Sequence, residues 1–326
     1  MPYNLNTMNI HNKVLLIGAG FMASEYLKVL KHLNCDVTVV SRSEGKINLL
    51  KKDFPNYAYY TEGLDDYLSK VSELPEFAIN TVNVCNLKDV SLALLKAGVK
   101  NLLIEKPGDL SINGLKELNN YAVNISSNVY IAYNRRFYSS ISELKKQIVI
   151  DDGITNCHFE FTEWIHTIDT SIYDKETLRK WIVSNSSHVI DTVFYLIGFP
   201  KNLNSTISGS NEIDWHPSGS VFTGSGVSEN KIPFTYNTDW SSAGRWSIEI
   251  FTKKRRFYLK PMEKLFEQKK GSINISEILL DDKLDIAYKP GLLVQTQAFL
   301  NSDFFDLVSI DEQIKAIGIY EEIAGY

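Results

Sequence analysis

Gly18 and Gly20, with Ala23 three positions on, directly follow the apolar run Lys13-Val-Leu-Leu-Ile17. The chemistry this spacing suits is the holding of a pyrophosphate. A glycine at the first position permits a tight turn, and one at the second removes the Cβ that would keep the backbone from the phosphates. A small third residue lets helix and strand pack closely. The elements that must position this cradle are legible around it: Val14 to Ile17 reads as a short buried strand, and Ala23, Tyr26, Leu27, Leu30 and Leu33 recur at the spacing of one helix face. Phe21 and Met22 open that helix, whose unpaired N–H groups and positive dipole end face a bound anion. The reading is a dinucleotide-binding fold.

A second strand, Asp36-Val-Thr-Val-Val40, leads to Ser41-Arg42-Ser43, where enzymes selecting NAD usually carry an acidic residue. Two hydroxyls flanking a guanidinium suit a 2′-phosphate, so NADP is favoured over NAD. Glu44 keeps NAD open, and an ordinary solvated loop is the bland alternative. Strands are expected near 58–60, 77–81, 101–104 and 129–133, with helices at 64–71, 87–97 and 111–123; Gly98 ends one helix and Ser111 caps another. Six strands separated by helices predict a doubly wound parallel sheet whose ligand lies beyond the carboxyl ends of the strands. Thr81, Asn83, Glu105 and Lys106 sit at such ends and are candidate cofactor contacts.

With 326 residues, 44% of them hydrophobic, the chain is long enough for two domains. A net charge of −5 gives no basic excess of the kind that nucleic acid or an anionic membrane selects, so a small-molecule partner is expected. No apolar run is long enough to span a membrane, and the polar start, Met1 to Asn12, lacks a signal-peptide core; a cytoplasmic location is expected. Cys35, Cys85 and Cys157 have neither disulfide nor metal-ligand spacing and read as buried thiols, and no metal is expected.

From about residue 140 the pattern changes to alternating strands of an α+β domain. The division expected is 1–138 for dinucleotide binding and 139–326 for substrate binding and oligomerisation, with the C-terminal helix free to return to the first domain. Cys157, Phe159 and Phe161 alternate with His158, Glu160, Thr162, Trp164 and His166, so residues 156–166 read as a strand with one core face and one outer face. Later strands are expected near 205–208, 219–223, 233–239, 246–252 and 256–259, then helices over 293–326 with a break near 303–310.

Gly18-Ala-Gly20, Glu105-Lys-Pro107, Tyr133-Asn-Arg-Arg-Phe137 and His188-Val-Ile-Asp191 occur in the order and spacing of the Gfo/Idh/MocA oxidoreductases, and the chain resembles that family over nearly its whole length. The resemblance implies an N-terminal Rossmann domain and a C-terminal α+β domain on a large, open, mostly antiparallel sheet. It implies NADP or NAD as cofactor and a sugar, cyclitol or nucleotide-sugar as substrate, of the kind used in surface-polysaccharide synthesis. Homodimers or homotetramers through the open sheet are also implied, as is a cis Lys106-Pro107 bond. Two departures stand out. The inositol dehydrogenase branch has an aspartate where this chain has Ser184, and its glycines before the histidine are replaced by Trp181-Ile-Val.

Oxidising an alcohol moves a hydride from carbon and a proton from oxygen, so the site needs a base and a cation. Lys106, its pKa lowered by burial, would polarise or exchange the hydroxyl proton, and His188, titrating near working pH, would be the general base. Ser184-Asn-Ser-Ser187 reads as a capping cluster for the His188 helix, on which Asp191 either orients the imidazole or caps another element. Tyr133 and Asn134 fall near the nicotinamide end. Arg135 and Arg136 read most simply as interdomain ion pairs. Trp240 and Arg245 either stack on and ion-pair with a substrate or pack in the core. Lys253-Lys-Arg-Arg256 reads as a solvated turn. Two other readings remain: a non-catalytic dinucleotide sensor, and a reductase of a non-sugar similar to the biliverdin reductases.

Overall fold

The structure, a computed structural model, describes residues 12–326, so all but the last residue of the polar start lies outside it. The first sheet contains β1 (Lys13–Ile17), β2 (Asp36–Val40), β3 (Ala58–Tyr60), β4 (Phe77–Asn80), β5 (Asn101–Glu105) and β6 (Asn128–Ala132), all parallel. The second contains β7 (Asn156–Glu160), β8 (Pro200–Ser208), β9 (Val221–Ser228), β10 (Pro233–Asp239), β11 (Ser247–Phe251), β12 (Arg255–Leu259), β13 (Leu265–Lys269) and β14 (Ile275–Ile278). A short β15 (Val308–Ser309) returns to pair antiparallel with β6. The sheet orders are β15-β6-β5-β4-β1-β2-β3 and β14-β13-β12-β11-β7-β10-β9-β8. Reversal of strand order beside β1 makes the crevice in which ligands of doubly wound folds lie. The second sheet is antiparallel apart from the β7–β10 pair, so the mixed α/β architecture is as expected.

Local chemistry explains several boundaries. Ser111 accepts a hydrogen bond from the Gly114 N–H at 3.0 Å and starts the helix Ile112–Asn124. Gly98, at φ 98°, follows the helix Leu87–Lys96. The alternation from residue 156 persists as strand only to Glu160, and the chain then breaks into short 3₁₀ turns. β13 and β14 were not legible, because Leu265-Phe-Glu-Gln-Lys and Ile275-Ser-Glu-Ile carry the polar composition of an exposed sheet end. Phe159, Phe161, Phe222, Phe234 and Tyr236 interlock on the inner face of the second sheet, against Phe194 of the helix Ser187–Ile197. Cys35 and Cys157 are buried, but Cys85 is exposed, against expectation, because it lies in the turn Val84–Asn86 rather than on a core face. No helix of the described residues is long and apolar enough to cross a membrane.

The two sheets are joined by a buried ion pair. Arg136, just past β6, places Nε 2.9 Å from Asp191 Oδ2 and Nη2 2.6 Å from Asp191 Oδ1, and also reaches Glu312 Oε1 at 2.7 Å. The Arg136 and Asp191 side chains are only 3% and 2% exposed. Removing one partner of such a pair strands the other charge away from water. Asp191→Ala is therefore expected to lower unfolding free energy by about 3–5 kcal/mol in urea titrations; a loss below about 1 kcal/mol, the range of a surface pair, would contradict this role.

Candidate active site

Gly18 sits at φ 113°, and a Cβ there would meet Thr81 Oγ1 at 2.6 Å. The Thr81 hydroxyl donates to the Ile17 carbonyl at 2.8 Å, so it braces the end of β1 at the wall of the cavity over the glycines. Gly20 has an ordinary φ of −84° as N-cap of the helix Phe21–His32, and its absent Cβ would meet nothing within 4 Å. The space over Gly20 is open. A cavity of about 460 Å³ runs from Gly18 and Gly20 past Asn83 to Ser41, Arg42 and Ser43. Lys46 also lines it, one turn after Arg42, while Glu62 and Asp65 bring negative charge to its far wall. The Ser43 N–H donates to Ser41 Oγ at 3.2 Å, which fixes the loop. Backbone turn, helix end and Arg42–Lys46 wall fit a dinucleotide. Phe21 and Met22 do not line this cavity; Phe21 projects outward instead, with the Lys289 ammonium 5.6 Å from its ring centre.

Beyond the strand ends, chain-distant residues converge. Lys106 directly follows β5 and precedes Pro107 through a cis bond, and its Nζ donates to the Ser184 carbonyl at 2.5 Å. Burial lowers its pKa to about 8 against the pull of Glu105, and Arg135 and Lys289 push the same way. Glu105, pushed upward by burial, lies beside Lys106, Tyr26 and Lys289. His188 is buried edge-on to Tyr133 at 5.7 Å between ring centres and faces Trp246. Its pKa is driven well below the ordinary histidine value, first by burial and then by Arg135, Lys106 and Lys289. The expectation that His188 titrates near working pH is corrected: the imidazole is neutral, because an imidazolium here would be dry and ringed by cations. Its Nδ1 is buried without a partner.

Other expected site residues do different work. Asp191 neither orients His188 nor caps an element; its carboxylate is taken by Arg136. Asn134 is buried and spends its amide N–H on the Pro290 carbonyl at 2.8 Å, tying the Lys289–Gly291 turn to β6. The Tyr133 hydroxyl accepts at 3.2 Å from the Gln313 amide, which also donates to the Pro107 carbonyl. Trp240 is core, donating from Nε1 to the Phe161 carbonyl and stacked on Trp215. Arg245 does reach the cluster, over Trp246 and 3.4 Å from Glu163. Nor do Ser184 to Ser187 cap the helix. Ser184, Asn185 and Ser186 lie in a π-helical turn, Ile182–Ser186, continuous with the helix Ser187–Ile197, and the Ser184 and Ser187 hydroxyls bond back to the Thr177 and Val183 carbonyls.

Glu163 was missed. It is buried, accepting from Asn185 at 2.9 Å and Ser186 at 2.7 Å. Its parity with Cys157, Phe159 and Phe161 already placed a carboxylate on the inward face. Lys289, in a Lys-Pro-Gly turn, left no such signal.

The contrast between the glycines is testable. Gly18→Ala is expected to lower the melting temperature through the Thr81 clash. Gly20→Val is expected to leave melting unchanged yet weaken NADPH and NADH binding by about tenfold or more in fluorescence titrations, since its side chain occupies the phosphate space. Undiminished binding in Gly20→Val would remove the cradle from the site.

Residues 4–83 match the family model described as Shikimate / quinate 5-dehydrogenase. No curated protein sequence matches the chain. Known structures align over both sheets. An Agrobacterium radiobacter oxidoreductase, held with NAD+, L-tartaric acid and magnesium, superposes with a TM-score of 0.76 at 16% identity, over 96% of this chain and 95% of that one. A Desulfitobacterium hafniense protein classed as an NADPH-dependent oxidoreductase gives 0.78 at 14% identity over 96% and 95%. UDP-N-acetylglucosamine 3-dehydrogenase from Acidithiobacillus ferrooxidans gives 0.72 at 14% identity over 97% of each chain. The likeness is one of fold, a Rossmann sheet followed by a large, mostly antiparallel sheet.

Proposed function

We propose that this chain is an NAD(P)-dependent oxidoreductase of the Gfo/Idh/MocA type, interconverting a secondary alcohol and a ketone on a sugar or nucleotide-sugar. The observation that carries the reading is the convergence of Lys106, at the end of β5, with His188, from the helix behind the second sheet, beyond the glycine cradle. A pure dinucleotide sensor has no chemical need for that pair. The dinucleotide would lie on Gly18, Gly20 and the Ser41–Ser43 loop, and bound nicotinamide supplies the hydride acceptor or donor. Arg42 and Lys46 favour a 2′-phosphate, and hence NADP, although Glu62 and Asp65 across the cavity temper the preference. The Acidithiobacillus neighbour's nucleotide-sugar substrate supports the substrate class.

The electrostatics divide the proton work between the two residues. Lys106, with its pKa near 8, changes charge close to neutral pH and takes or returns the hydroxyl proton. His188 stays neutral and offers the unpartnered Nδ1 as a hydrogen-bonding group for the same oxygen. The Ser184 carbonyl holds the ammonium in place. The outer face of the second sheet, with His158 bonded to Thr235 beside Glu249 and Tyr258, is where copies of the chain would associate, and light scattering at a dimer or tetramer mass tests that.

Lys106→Met and His188→Ala are each expected to cut turnover by about 100-fold or more while cofactor binding persists; unchanged turnover in both refutes the assignment. Because burial favours neutral Lys106, its charge is lost near pH 8 instead of at the ordinary 10.5. Oxidation should therefore rise as pH passes 8, and Lys106→Met should abolish that inflection. For the cofactor, NADH binding tighter than NADPH and indifferent to Arg42→Ala would reject the 2′-phosphate preference.

A further inference from the structure

The two arginines after Asn134 have opposite fates. Arg136 is saturated by Asp191 and Glu312. Among the described residues Arg135 has no carboxylate within ion-pair distance, and its Nε is buried without a partner. Its guanidinium lies over the Trp246 ring at 4.6 Å from the centre and over Tyr138 at 5.8 Å. Arg245 shares the Trp246 ring, at 4.8 Å. Lys106 and Lys289 add two ammonium groups within electrostatic reach of Arg135. Glu163, Glu105, Glu25 and Glu263 lie within electrostatic reach of this cluster, but none is within ion-pair distance of Arg135. Glu163 bonds Asn185 and Ser186 through Oε1 and Arg245 through Oε2; Glu105 lies beside Tyr26; Glu263 is exposed.

Two guanidinium groups on one indole, with the inner one half-buried, its Nε shut away from water and no carboxylate in ion-pair reach, make a place for an anion arriving from outside. The planar fork of arginine matches a carboxylate or phosphate oxyanion. The phosphates of a dinucleotide are not that anion, since the cavity over Gly18 and Gly20 is walled by neither Arg135, Arg245 nor His188. His188, nine-tenths buried, brings its unpartnered Nδ1 to the same Trp246 ring.

We propose that the substrate is an acid: a sugar acid or sugar phosphate whose oxyanion is bound by Arg135 and Arg245 beside Trp246, with its reacting alcohol at Lys106 and His188. The placement of the alcohol rests on the oxidoreductase reading; the binding of the anion does not. Tethering one end of the substrate at the arginines leaves a hydroxyl-bearing carbon to meet the ammonium and imidazole, and orientation of this kind is a large part of catalysis.

The test is calorimetric titration of the whole chain with D-glucuronate, D-gluconate, D-glucose 6-phosphate and D-glucose, with NADPH binding measured in parallel. At least one anion is expected to bind about tenfold or more tightly than glucose, the worth of a charged hydrogen bond. Preference for the sugar acids assigns a carboxylate, and preference for the 6-phosphate a phosphate. Arg135→Gln and Arg245→Gln should each erase the preference. The Arg245 side chain is 41% exposed, so its replacement keeps the test readable if Arg135→Gln fails to fold. No anion binding tenfold tighter than glucose, or a preference surviving in either folded variant, overturns the proposal. Intact NADPH binding without acid preference sinks this inference alone, whereas acid preference without NADPH binding sinks the oxidoreductase reading instead.

Discussion

The site depends on the buried pairing of Arg136 with Asp191. Each charge would cost several kcal/mol to bring out of water alone, and only the fork-to-carboxylate geometry, extended to Glu312, offsets that. The pair fastens the segment after β6 to the helix Ser187–Ile197, and His188 stands one turn before Asp191 on that helix. The imidazole's position relative to Lys106 therefore follows from an ion pair that touches neither group.

Around that clamp the fold concentrates positive charge. Lys106, Lys289, Arg135 and Arg245 meet where the first sheet ends and the second begins; burial first, and then the charges of Arg135, Lys106 and Lys289, keep His188 neutral. The π-helical turn contributes as well. Its widened backbone places the Ser184 carbonyl 2.5 Å from Lys106 Nζ, so a main-chain oxygen meets the ammonium. A carbonyl accepts the hydrogen bond but adds no negative charge, which leaves burial free to depress the Lys106 pKa.

Much of this was legible in order along the chain. The glycine cradle, the strand and helix pattern of the first sheet, the Ser111 cap and the Glu105-Lys106-Pro107 turn are consequences of neighbours within a few residues. Gly20 in particular could be read for its local geometry, since an extended N-cap with open space above it needs only its own backbone and the helix it begins.

Pairings between distant residues were not legible. Asp191 and Arg136 are 55 positions apart, and nothing near either one says that they meet instead of Asp191 meeting His188. Adjacent Arg135 and Arg136 look alike as sequence, yet one is saturated and the other unpaired, because successive side chains leave the backbone in different directions into different surroundings. Trp240 and Arg245 were equally ambiguous until packing sent one into the core and the other over the Trp246 ring. Local sequence determined the elements and the glycine turn, because backbone conformation and hydrophobic periodicity act over a few residues. Tertiary structure alone decided which charges are neutralised, which stay exposed to a ligand and which imidazole stays uncharged, because burial and Coulomb interactions act through space.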